Sequence, residues 1–318
     1  MRRIAIILSL VLAVLSCGRK NVSTEEYRSF PTVQVPSLYT TQEEIGEYVA
    51  EHYWDGYFAQ AGITDSAAVL GVRKRELEQA FASYLGLLDR QPLAKAQGNM
   101  KALFKKVESA QRQDSSSLFY LRFTEMVEKY LYDPNSPLRN EDLFLPFVEQ
   151  LAECPFTDSL MRTGYRYQAS MCALNQVGSV APDFRFKDVK GRIHSLHGTK
   201  GEYTMLFFSN PGCDACKEMI EDIDSCPSVC KAIEDGTVAL VNIYIDQEID
   251  KWREYEPTYP RSWITGYDWQ YIIRTEQNYD VRAIPSLYLL DSEKRVIMKD
   301  APTERVLTYL DMRLINRQ

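Results

Sequence analysis

The sequence predicts two domains: an all-α helical bundle over residues 41–175, then an α/β fold with a central mixed sheet flanked by helices over residues 177–318. Three observations predict this. Apolar residues recur at helical spacing, with short connections, from residue 41 to about 175. Near residues 176–180 the pattern turns strand-like, and residues 205–208 and 238–245 are near-continuous apolar runs of the kind that fill the middle of a sheet. The first run leads through the turn residues Ser209, Asn210, Pro211 and Gly212 into Cys213-Asp214-Ala215-Cys216 and a helix start. At 318 residues and 45% hydrophobic the chain has material for two cores. A net charge of −7 without a basic cluster argues against a nucleic-acid partner.

The chain begins with a short basic region, Met1-Arg2-Arg3, followed by an apolar segment over residues 4–15. That falls short of the ~20 residues a membrane span needs and fits a secretory signal. It ends in Leu15-Ser16-Cys17-Gly18 and resembles a bacterial lipoprotein signal. Residues 1–16 would then be removed, and a lipidated Cys17 would become the first residue of the mature protein. The alternative is an ordinary signal peptide cleaved nearby. Both predict export, and the first adds an anchor in a bacterial membrane with the protein facing the periplasm. Residues 17–40 are polar and then punctuated by Pro31 and Pro36. They read as a lipid-anchored tether or, from Phe30 onward, as a segment packed on the domain.

Thr41 and Glu44 form a capping box ahead of Ile45, Tyr48, Val49, His52 and Tyr53. Further helices are predicted over residues 66–89, 92–110 and 116–131, the last stopped by Asp133-Pro134. Asn140 caps a helix over residues 141–153, and Thr157 or Asp158 caps one over 159–174. Tyr53, Trp54, Tyr57 and Phe58 are read as core in preference to a partner surface, and His52 as a core or rim residue. Cys154 and Cys172 invite pairing in an exported protein. They flank one predicted helix, however, roughly 20 Å apart, whereas a disulfide needs Cα atoms within ~7 Å. Both are expected to be buried free thiols.

In the second domain two short strands flank Lys190-Gly191, and the strand over residues 205–208 follows. Pro227 suits the first position of a second helix. Residues 238–245 form the next strand, and residues 250–279 a Trp- and Tyr-rich connection with a helix on each side of Pro257 and Pro260. Strands over 286–290 and 295–298 are joined by a hairpin loop, and residues 303–316 close the chain as a helix.

A strand, a turn and a CxxC on the first helical turn form a redox arrangement. Cys213 would sit where free backbone N–H groups and the helix dipole favour a thiolate. Cys216 would lie within one turn, able to close a disulfide. A CxxC also serves as half of a zinc site, but that needs two further ligands. The only close cysteines are Cys226 and Cys230, and His52, His194 and His197 all precede the motif, so no metal is expected. Asp214 beside Cys213 disfavours its thiolate against the helix terminus. The disulfide is therefore expected to be less oxidising, as in a reductase or isomerase.

These stretches together (APDFRFKDVKGRIHSL, the CDAC block with Lys217, VALVNIYID, and VRAIPSLYLLDSEKRVI with Ile284-Pro285) resemble a thioredoxin-like domain of the TlpA/ResA type. The whole chain further resembles exported bacterial lipoproteins in which a helical domain of unknown function precedes such a domain. CDACKEM, YLYDPNSPLRNEDL and SLYLLD carry that likeness. The resemblance implies a thiol–disulfide oxidoreductase with no cofactor beyond a Cys213–Cys216 redox disulfide. Cys213 would attack and Cys216 resolve. Pro285 would be a cis-proline facing the disulfide and offering the Ile284 backbone to a substrate strand. The implied partners are exported cysteine-containing proteins and an electron donor.

Two departures stand out. Gly212 replaces the tryptophan common before the first cysteine, and Phe207 replaces thioredoxin's buried acid, leaving Glu202 or Glu218 as candidate relay bases. Cys226-Pro-Ser-Val-Cys230 is read as packing ahead of a second redox pair. The rival functions are a peroxidase, whose spacing before the cysteine is not met, a non-catalytic binding module, and a copper chaperone, which would want a downstream histidine.

Overall fold

The computed structural model describes residues 27–315; Cys17 and the predicted signal lie outside them. The capping box closes as expected, with Thr41 Oγ1 accepting from the Glu44 amide (3.2 Å) and Glu44 Oε2 accepting from the Thr41 amide (3.1 Å). It starts helix α1 (Gln42–His52), after which come α2 (Asp55–Phe58), α3 (Lys74–Leu88), α4 (Leu93–Gln113), α5 (Phe119–Leu131), α6 (Glu141–Glu153) and α7 (Ser159–Cys172). Trp54, Tyr57, Phe81, Phe123 and Phe147 are buried at the centre of one core. His52 lies at the rim, paired with Asp55 at 2.7 Å.

The region is helical but not all-α, which corrects the prediction. Ala68–Val69 (β1) and Val72–Arg73 (β2) pair antiparallel, so α3 begins at Lys74 and not near residue 66. Leu70 and Gly71 both take positive φ (47° and 76°), the backbone of a tight hairpin turn. The apolar residues here also match helical spacing, which is why periodicity alone reads through the turn. The hairpin is what docks the preceding segment. Arg28 donates its amide to Gly71 O (2.9 Å) and its Nε to Leu70 O (2.8 Å). The Phe30 ring packs on Tyr53, Trp54 and Tyr57, and its amide donates to Glu76 Oε1 at 2.7 Å. From Arg28 onward this part of the expected tether is bound to the helical region.

Helix α6 contains Pro146, which has no N–H to give to the Asp142 carbonyl. Gln97 of α4 fills that vacancy, its Nε2 donating to Asp142 O at 3.0 Å. Cys154 and Cys172 are both free and buried, and burial pushes the Cys172 thiol up.

The second region has one seven-stranded mixed sheet: β3 (Arg185–Lys187), β4 (Ile193–Ser195), β5 (Tyr203–Phe208), β6 (Val238–Tyr244), β7 (Ile264–Tyr267), β8 (Ser286–Leu290) and β9 (Val296–Met298), in the order β4-β3-β7-β6-β5-β8-β9. β5, β6 and β7 run parallel, and β8 returns antiparallel to β5. Helices α8 (Asp214–Asp224), α9 (Pro227–Glu234) and α12 (Thr303–Ile315) cover one face through Met219, Ile223, Val229, Val306 and Leu310. Phe184, Phe186 and Ile273 help cover the other, the last from α11 (Ile272–Thr275). Helix α10 (Ile249–Tyr255) packs Trp252 on Tyr267 of β7.

β7 was not predicted; residues 250–279 were expected to be helices and connection only. Its sequence, ITGY, is short and does not alternate. Gly266 is required there, since a Cβ would meet the Phe186 ring at 2.4 Å.

Candidate active site

β5 is the innermost strand of the cluster that matters, paired on both sides and buried along Thr204 to Phe208. Where it ends, the chain turns through residues 209–212. Gly212 takes φ +72°, a left-handed conformation that a side chain disfavours. The tryptophan that the resemblance implies at this position would therefore be strained here, and the space in front of the cysteines is open.

Cys213 is the N-cap of α8, and its sulfur accepts from the Cys216 amide at 3.1 Å. A helix N-terminus thus points a free N–H at the sulfur that would carry negative charge. Cys213 and Cys216 are joined by a disulfide with Cα atoms 5.2 Å apart. Cys216 is buried and Cys213 is half-buried, so the outer sulfur alone is presented to a partner. Asp214 and Ala215 are exposed, and Lys217 reaches Glu221 at 3.8 Å across the helix surface.

Register brings the opposing wall into place. Phe208 pairs with Ser286, so the peptide before β8 lies against the turn. Ile284–Pro285 is cis, and the Ile284 carbonyl oxygen is 3.9 Å from Cys213 Sγ.

Behind the motif Phe207 is buried against Trp263, with ring centroids 6.1 Å apart. Neither acid named from the sequence takes up the relay position. Glu202 precedes β5 and lies at the end of that strand away from Cys213, ~20 Å along it. Glu218 is exposed on α8. The polar groups nearest the turn are instead Ser209, whose Oγ bonds Asn242 Oδ1 (2.6 Å) and Tyr259 Oη (3.0 Å), all buried. Asn210 Nδ2 donates to Asp246 Oδ2 (2.7 Å), and Asp246 Oδ1 accepts from Arg274 Nη2 (2.6 Å). Sequence reading missed these supports. Asp246 had a signal, a carboxylate just past the C-terminal end of an apolar strand, where α/β sheets place their sites.

Cys226 is the N-cap of α9 and Cys230 lies one turn in; both are free. Cys230 Sγ faces the carbonyls of Ile223 (3.3 Å) and Asp224 (3.5 Å), and burial raises its thiol.

A family described as a domain of unknown function, DUF5106, matches residues 16–175. A solved thioredoxin-like protein from Bacteroides caccae ATCC 43185 is 32% identical with TM-score 0.75, the match covering 90% of this chain and 99% of that one. The chain belongs to the DUF5106 family. The C-terminal domain of an uncharacterized protein from Bacteroides fragilis NCTC 9343 is 38% identical over 43% of this chain and 98% of its own, TM-score 0.42. A domain of a possible thiol-disulfide isomerase from Cytophaga hutchinsonii ATCC 33406 is 24% identical over 44% and 95%, TM-score 0.38. No curated protein matches. The DUF5106 region is thus followed by a thioredoxin-like domain that carries the cysteine pair.

Proposed function

We propose that this protein is a membrane-tethered, extracytoplasmic thiol–disulfide oxidoreductase that reduces or isomerises disulfides of exported proteins. The observation that supports it is the placement of Cys213. It is the partly exposed sulfur of a CxxC disulfide, at a helix N-terminus, beside a cis-proline peptide. In the reduced protein the Cys213 thiolate attacks one sulfur of a substrate disulfide, forming a mixed disulfide while the other substrate sulfur leaves as thiolate. Cys216 then attacks Cys213, the mixed bond breaks, and the substrate departs with two electrons as a dithiol. In isomerisation a substrate thiolate attacks the mixed disulfide instead. A dithiol reductant outside the membrane must restore the reduced pair. Lipidation of Cys17 would hold the protein where exported substrates emerge.

Trapping tests this reading. With Cys216→Ala the mixed disulfide has no resolving thiol, so exported partners accumulate on Cys213 as bands of higher mass that collapse under reductant. Adding Cys213→Ala abolishes every band. If Cys216→Ala traps nothing, and the purified protein exchanges with no small disulfide, the domain is a binding module and the redox reading is wrong.

A further inference from the structure

The loop that presents Ile284 is not held by its own backbone. Among the described residues, no backbone–backbone hydrogen bond involves residues 277–285, and the stretch has no regular secondary structure. Side chains hold the loop: Tyr279 Oη donates to Pro182 O (2.6 Å) and Asn175 Nδ2 donates to Asn278 O (2.8 Å). At the centre Arg282, with Asp280 of its own loop 3.5 Å away, is bound by the DUF5106 region. Its Nη2 and Nε donate to Glu141 Oε1 (2.7 and 3.0 Å), and its Nη1 donates to the Tyr132 carbonyl. Its guanidinium lies 4.0 Å from the centroid of the Tyr132 ring. This is a fixed, forked and stacked arrangement that an ammonium would not reproduce.

Glu141 also ties down the far end of the neighbouring hairpin. Its Oε2 is 2.6 Å from Lys299 Nζ, which donates to the carbonyls of Cys172 (3.1 Å) and Leu174 (2.5 Å). Arg139 donates to Asp300 O at 2.9 Å. Tyr132, Arg139 and Glu141 all come from YLYDPNSPLRNEDL, a stretch of the helical region with no catalytic signature. Glu141 is 5% exposed, so this is an interior contact and not a passing surface pair.

We propose that the DUF5106 region is the positioning element of the substrate-binding loop. Glu141, acting through Arg282, fixes the Ile284–Pro285 edge on which an extended, cystine-containing peptide strand docks beside Cys213. The proposal rests on the redox reading and deepens it. Glu141 and Arg282 are positioning residues; neither touches the reacting sulfurs. A small aromatic disulfide that meets Cys213 without laying a strand along Ile284 does not need them.

The test uses the full chain, reduced, with two oxidants: a cystine-containing peptide with extended flanks and 5,5′-dithiobis(2-nitrobenzoate). Glu141→Gln keeps the shape and an acceptor while removing the charge. It is expected to slow reaction with the peptide roughly tenfold or more, through the dependence of the rate on peptide concentration, and to leave the small disulfide within about twofold. Arg282→Lys, which keeps the charge and loses the fork, is expected to show the same selectivity, and the double variant to be no worse than the poorer single one. Equal loss on both oxidants, or loss on neither, overturns the proposal while leaving the redox reading intact. Unfolding of both variants makes the network a purely structural one and overturns it too. A wild-type protein that reacts with neither oxidant overturns the redox reading, and this inference with it.

Discussion

Replacing Cys213 with Ser is expected to reduce disulfide exchange by orders of magnitude, to the level of the uncatalysed reaction. The hydroxyl is not ionised at neutral pH and cannot add to sulfur, whereas the helix terminus favours a thiolate at this position. Among the described residues, no other cysteine is placed to substitute: Cys226 caps α9, past the far end of α8 from Cys213. Cys154 and Cys172 are buried in the helical region, and Cys230 is turned into the carbonyls of Ile223 and Asp224 with its thiol raised by burial. Cys216, left alone, is buried beneath the turn. Stopped-flow reaction of the reduced protein with a peptide disulfide measures this. A Cys213→Ser protein that kept even a tenth of the wild-type rate would mean that another thiol is the nucleophile.

Glu141→Ala should be the most destabilising single change at the junction of the two regions, by about 3–5 kcal/mol, the usual cost of stripping one partner from a buried ion pair. It leaves Arg282 and Lys299 with no direct carboxylate partner in α6, Lys299 buried and Arg282 largely so.

The same cluster sets a pH dependence. Burial is the main cause that raises the carboxyls of Asp142 and Asp280 to about 6, with Glu141 repelling both. Raised carboxyl values mean that the folded state holds these protons more tightly than the unfolded one. Their favourable contribution is therefore fully present below about pH 4 and lost as the pH rises through about 6. Removing Glu141 removes one cause of the raised values, so the variant should lose less stability than the wild type over that interval. Urea unfolding at several pH values checks both parts. A loss below about 1 kcal/mol, or parallel pH slopes, would contradict them.

The residues of the candidate site were legible because each is local. A turn of Pro and Gly before CxxC, an apolar strand ahead of it and an Ile-Pro before another strand each occupy a few consecutive residues. The positions the structure gives Cys213, Pro285 and α8 follow from those short patterns. β7 escaped because a four-residue central strand has too few side chains to show a period, and its glycine reads as a breaker. The 68–73 hairpin escaped because its apolar residues fit a helix equally well.

The junction could not be read at all. Glu141 and Arg282 are 141 residues apart in sequence, and nothing local in NEDL distinguishes a solvated helix start from one buried against another domain. Phe207 shows the opposite case. The sequence places an apolar residue where a related fold has an acid, and the structure keeps that position dry. The polar support moves to Ser209, Asn242 and Tyr259.

The central claim is that Cys213 and Cys216 form a redox couple, and equilibrium titration with thiol mapping tests it most directly. The full-length protein is equilibrated in dithiothreitol buffers of graded potential, acid-quenched, alkylated and mapped by peptide mass. The account predicts one two-electron transition, confined to the peptide that carries Cys213 and Cys216. Cys154, Cys172, Cys226 and Cys230 should stay reduced at every potential. A pair that never interconverts across the series, or a transition that maps to any other cysteines, would contradict it.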